Sequence, residues 1–77
     1  MPTMADVIRV LEEATLQPPG VIGPDSAFDS LDGWDSMGVV FFLGEALERW
    51  KIQLSADDML ESATVSELFE RVCARGA

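Results

Sequence analysis

The chain has 77 residues, 48% hydrophobic and 25% charged, with fourteen acids, five bases, no histidine and one cysteine. That length suits one small domain, near the lower limit at which a core is stable without disulfides or metals, and the composition is that of a folded chain rather than a disordered one. A formal charge of −9 repels nucleic acid and anionic membrane surfaces, one cysteine allows no internal disulfide, and the missing histidines remove the usual zinc spacings and the commonest acid/base at neutral pH.

No apolar run approaches bilayer length, and the first residues lack the basic and apolar regions of a signal peptide. A soluble cytoplasmic protein is therefore expected, a single domain over residues 1–77 that does no chemistry of its own, holds no metal and meets partners with basic patches. Thr3 with Asp6 three residues on forms a capping box, and Met4, Val7, Ile8, Leu11 and Ala14 follow at helical spacing, which predicts a first helix over 4–16. Gln17-Pro18-Pro19-Gly20 stops it, since neither proline continues the ladder and glycine suits a helix exit. The stretch from there to Asp35 is rich in Gly, Pro, Asp and Ser, yet Val21, Ile22, Phe28, Leu31 and Trp34 predict a long loop that packs apolar anchors onto the core. A loop of this length in so small a domain usually has a job. Its aspartates, Asp25, Asp29, Asp32 and Asp35, fail the calcium-loop spacing in every register.

Asp35 and Ser36 are residue types favoured where a helix begins, because their side-chain oxygens accept from unpaired first-turn amides. The same free amides and the helix dipole favour a phosphate bonded to a residue placed there. A second helix is predicted over 36–50, with Val39, Val40, Leu43, Ala46, Leu47 and Trp50 facing the core and Glu45, Glu48 and Arg49 facing solvent. Phe41 falls between Glu45 and Glu48 on the solvated side, about 8 Å along the axis from Ser36. Gly38 and Gly44 each cost about 1 kcal/mol in a helix interior, so close approach or open space is expected at both. At Gly44, placed at the edge of the apolar face, the missing volume either leaves an opening between helices or is filled by Phe42 or Trp50.

Lys51-Ile52-Gln53-Leu54 is too short and isolated for a sheet strand. Ser55 with Asp58 forms a second capping box and predicts a brief helix over 56–61, and Thr64 with Glu67 opens a last helix over 65–75 along Val65, Leu68, Phe69, Val72 and Cys73. Cys73 reads as a small thiol of that stripe rather than a reactive one. The expected fold is all-α, a small four-helix bundle with three longer helices, a short third helix and a long loop between helices one and two.

Taken together, Gly33-Trp34-Asp35-Ser36-Met37 at the start of the second of four helices, Ile52-Gln53-Leu54-Ser55-Ala56-Asp57 before the short one and Thr64-Val65-Ser66-Glu67-Leu68 opening the last resemble the acyl carrier proteins. These are the phosphopantetheine-attachment domains of fatty acid and polyketide synthesis. The resemblance implies that Ser36 takes 4′-phosphopantetheine from coenzyme A, that Asp35 precedes it as in the family, and that Met37 replaces the usual leucine. It implies a phosphopantetheinyl transferase as the modifying enzyme, with magnesium bound in the transferase. The carrier then holds acyl groups as thioesters while acyl-transferring or condensing enzymes come to it.

The family often has acids at the positions of Gly38 and Phe41. Both are uncharged here, which points away from ordinary fatty acid synthesis and toward a specialised pathway whose enzymes offer an apolar groove, with Met37, Phe41, Glu45 and Glu48 as partner contacts. A monomer is expected. Two alternatives stay open: an aminoacyl or peptidyl carrier, which commonly shows Gly-Gly-His-Ser where this chain has Gly33-Trp34-Asp35-Ser36, and an acidic helical adaptor that never carries an arm. A hydrolase with Ser36 as nucleophile lacks a base to activate it.

Overall fold

Thr3 caps α1 (Met4–Thr15) as its spacing predicts: its hydroxyl accepts from the Asp6 amide while the Asp6 carboxylate accepts from the Thr3 amide. The computed structural model describes residues 2–76, so the two terminal residues of the predicted 1–77 span lie outside the described residues. Three further α-helices follow, α2 (Ser36–Trp50), α3 (Ala56–Glu61) and α4 (Val65–Gly76). Each begins where the sequence places it, and the fold is the all-α bundle expected. The α1 helix stops at Thr15, one residue before the predicted end, because Leu16 swings into the left-handed region at φ 58° and closes the last turn on the Glu12 carbonyl.

Val7, Val10 and Leu11 of α1, Phe42 and Ala46 of α2, and Val65, Leu68 and Val72 of α4 form the centre of one core, each 1% exposed or less. The long loop contributes Ile22 and Phe28, both buried, and half-buried Leu31 and Trp34. Of the predicted anchors only Val21 fails. It follows the turn at Pro18–Gly20 and is 55% exposed. The loop also contains a 3-10 turn over Phe28–Ser30, and it is clasped to the start of α4 by Phe28 N–H to Ala63 C=O at 3.0 Å and Val65 N–H to Ser26 C=O at 3.0 Å.

The α2 helix sits turned from the predicted face. Phe42 is fully buried, whereas Val40 and Leu47, expected inside, are 65% and 52% exposed. The physical reason is that apolar residues wrap most of this helix, so only its charges mark a solvent side, and Glu45 misleads. Its side chain is only 21% exposed and its carboxylate is neutralised by Arg49 at 2.6 Å. The core therefore centres on the largest ring, Phe42, which meets Trp50 edge-on at 5.9 Å. Gly44 consequently faces open space on the outer side of α2 and leaves no opening between helices.

The short α3 cannot hold itself by its own hydrogen bonds. Ser55 and Asp58 form the predicted capping box, and the Asp58 side chain, 4% exposed, also receives Arg71 and Arg75 of α4 at 3.2 Å each. The Arg75 guanidinium and the Ser55 amide hold the Asp58 carboxyl at a pKa of about 2, below its ordinary 3.8.

Candidate functional site

The turn ahead of α2 is built to set Ser36 in one place. Trp34 N–H donates to Leu31 C=O at 3.3 Å, and Gly33 inside that turn has φ +84°, the left-handed conformation that glycine adopts without strain. A Cβ there would lie 2.7 Å from the Thr15 carbonyl oxygen, so the end of α1 presses directly on this turn. The Gln17 side-chain amide adds a second tie by donating to the Asp32 carbonyl at 3.1 Å.

Aromatic packing fixes the other side. The Trp34 ring lies across the first turn of α2, where a Cβ on Gly38 would meet its Cε3 at 3.0 Å, and Phe28 backs the same indole at a centroid separation of 5.0 Å. Gly38 is thus the predicted site of close approach. The glycine is legible in the sequence but its partner is not, because Trp34 reaches it only through the turn at Gly33.

Asp35 is the N-cap of α2, in extended conformation, with its Oδ1 accepting from Gly38 N–H at 3.0 Å. Val39 N–H closes the first helical turn on the Asp35 carbonyl at 3.1 Å. Ser36 is the first helical residue and is exposed. Its own amide and that of Met37 come too early in the helix for an intrahelical acceptor, so they and the dipole leave a weak positive field beside the hydroxyl. A group joined through a phosphodiester fits such a position.

Met37, Phe41, Glu45 and Glu48 line one side of α2 beyond Ser36, as the spacing predicts. Met37 is 74% and Phe41 38% exposed, and Glu48 is exposed. Glu45 differs, being tied to Arg49, which also reaches Glu13 on α1 at 3.1 Å. On the opposite flank an open groove of about 420 Å³ runs between α2 and α3, lined by Trp34, Ser36, Val39, Val40, Ala56 and Leu60. The sequence carries no signal for Leu60, since a six-residue helix is too short to show which of its residues face outward. Among the described residues no helix is long and apolar enough to cross a membrane, and no group of acids and cysteine could hold a metal ion.

A four-helix bundle that offers a capped, exposed serine at the mouth of its second helix has the architecture of a carrier domain. The family model for the phosphopantetheine attachment site matches residues 5–72, and the chain belongs to that family. Comparison with curated proteins and with solved structures gives no match. Members of the family are carriers rather than catalysts and hold 4′-phosphopantetheine covalently. The exposed hydroxyl and free first-turn amides at Ser36 fit that group.

Proposed function

We propose that Ser36 is the attachment serine of a single carrier domain spanning residues 1–77, a cytoplasmic monomer modified by a phosphopantetheinyl transferase. The observation that carries this reading is the exposed Ser36 at the first position of α2, inside the matched span 5–72, with Asp35 capping the helix beside it. The arm supplies a terminal thiol, on which acyl groups ride as thioesters. The chain's own residues do the rest: the turn at Gly33 and the Trp34 indole hold Ser36 outward, and Asp35 keeps the helix start formed while another enzyme works on the hydroxyl.

Asp35, where aminoacyl and peptidyl carriers commonly have histidine, supports an acyl load. The uncharged Gly38 and Phe41, and the exposed Met37 and Phe41 beside acidic Glu45 and Glu48, support partners with an apolar groove and a basic rim. Such partners are acyl-transferring or condensing enzymes of a specialised fatty acid or polyketide type pathway, and the charge of −9 disfavours nucleic acid as an alternative. Incubation with coenzyme A, magnesium and a promiscuous transferase should add the mass of one phosphopantetheine. A chain left unmodified by several transferases would instead be the acidic adaptor.

A further inference from the structure

Gly44 lies in the interior of α2, is exposed, and has nothing within 4 Å of where a Cβ would stand. Glycine weakens a helix interior against alanine, and here neither a positive φ nor a close approach inside the bundle asks for it. Positions three and four away on a helix are its surface neighbours. For Gly44 these are Val40, Phe41, Leu47 and Glu48, all exposed, and Met37 lies about two turns back on the same line toward Ser36. Four of the seven large apolar side chains exposed among the described residues stand on α2, and three of them ring Gly44.

The result is a socket. Backbone forms its floor, Val40, Phe41 and Leu47 form three sides and the Glu48 carboxylate the fourth, each about 5–6 Å from the centre. Its shape is that of the hole which accepts a single side chain where two helices interlock. The chemistry of the rim selects the occupant. A large apolar side chain satisfies three sides, and a base beside it meets Glu48, which has no ion-pair partner among the described residues, whereas Glu45 is already tied to Arg49. A second copy of the chain does not fit. An isologous contact centred on Gly44 sets socket against socket and fills neither, and it brings together two chains of charge −9. An anionic membrane surface is repelled by the same charge.

We propose that the socket at Gly44 receives one large apolar side chain, flanked by a base, from a helix of the acyl-handling partner. Met37 and Phe41 then lie in the partner's groove while the partner's own side chain enters α2. This rests on the reading that acyl-handling enzymes dock on this face, and it fixes what they must present there: a projection where α2 has no side chain. The probe is an alanine-rich helical peptide of about 20 residues with one central leucine and an arginine one turn to either side, titrated into the isotope-labelled full chain. The expected result is saturable shifts in the amide NMR signals of Val40, Phe41, Gly44, Leu47 and Glu48. A matched peptide with alanine in place of the leucine should bind about tenfold more weakly or worse, because truncating a central apolar anchor removes most of its contact. Gly44→Leu fills the socket from the chain's own side, so it should weaken the leucine peptide by about tenfold or more. The variant should melt no earlier than wild type, since the new side chain starts in open space and leucine is the better helix former. Equal affinity for the two peptides, undiminished affinity in Gly44→Leu, shifts centred away from these five residues, or no binding up to about 1 mM each overturns the proposal. A wild type that takes no arm from coenzyme A brings down the carrier reading instead, and the two failures are told apart because the titration uses the unmodified chain.

Discussion

Gly33 and Gly44 separate what a glycine does near the site from what it does on the surface. At Gly33 any side chain meets the Thr15 carbonyl oxygen at 2.7 Å and must hold φ +84°, and a backbone oxygen cannot step aside. Gly33→Ala should cost roughly 2–3 kcal/mol and lower the melting temperature by about 10 °C or more, read by circular dichroism. Gly44→Ala meets nothing within 4 Å, so it should gain up to ~1 kcal/mol of helix propensity and melt several degrees higher. A Gly44→Ala that melts earlier than wild type would mean that α2 packs differently from the orientation described. Ser36 and Asp35 were legible in the sequence because capping chemistry is local. The Thr15–Gly33 and Trp34–Gly38 contacts were not, because the first arises only when α1 and the turn are brought together and the second only when the turn at Gly33 lays the indole across the start of α2.

Each helix start was readable from its cap, Thr3, Asp35, Ser55 and Thr64, since the hydrogen bonds involved span only three residues. The facing of α2 was not, because a helix apolar on most sides gives a weak directional signal and its one misleading acid is silenced by Arg49. The latch on α3 was half legible: Ser55 and Asp58 declared the cap, but Arg71 and Arg75 sit thirteen and seventeen residues on and meet Asp58 only in the bundle. Because the folded Asp58 carboxyl titrates at about 2 and an unfolded one near 3.8, its stabilisation is complete above about pH 4 and is lost as pH falls toward 2. With its arginine partners partly exposed, the contribution at neutral pH is roughly 1–2 kcal/mol. Asp58→Asn should lose that amount at pH 7 and show a shallower decline in stability between pH 4 and 2. Equal pH dependence in the variant would show that another carboxylate governs acid unfolding.

At the scale of the molecule, and among the described residues, three of the five bases are already engaged in internal ion pairs, Arg49 with Glu13 and Glu45, and Arg71 and Arg75 with Asp58. The outward field is therefore strongly acidic, which suits a basic-rimmed partner and opposes compaction. Salt screens this repulsion to about 8 Å at physiological ionic strength and acts less on the buried Asp58 pairs, so added sodium or magnesium chloride should raise the melting temperature. A melting temperature that stays flat or falls with salt would show that the acids are locally balanced. The central claim, that Ser36 receives the arm, is tested most directly by intact mass of wild type and Ser36→Ala after the same incubation with coenzyme A and transferase. Wild type should gain a single phosphopantetheine, and Ser36→Ala should gain none while keeping its helical circular dichroism, because alanine is a good helix former and Asp35 still caps α2. An addition to Ser36→Ala, or a variant that no longer folds, would contradict the account.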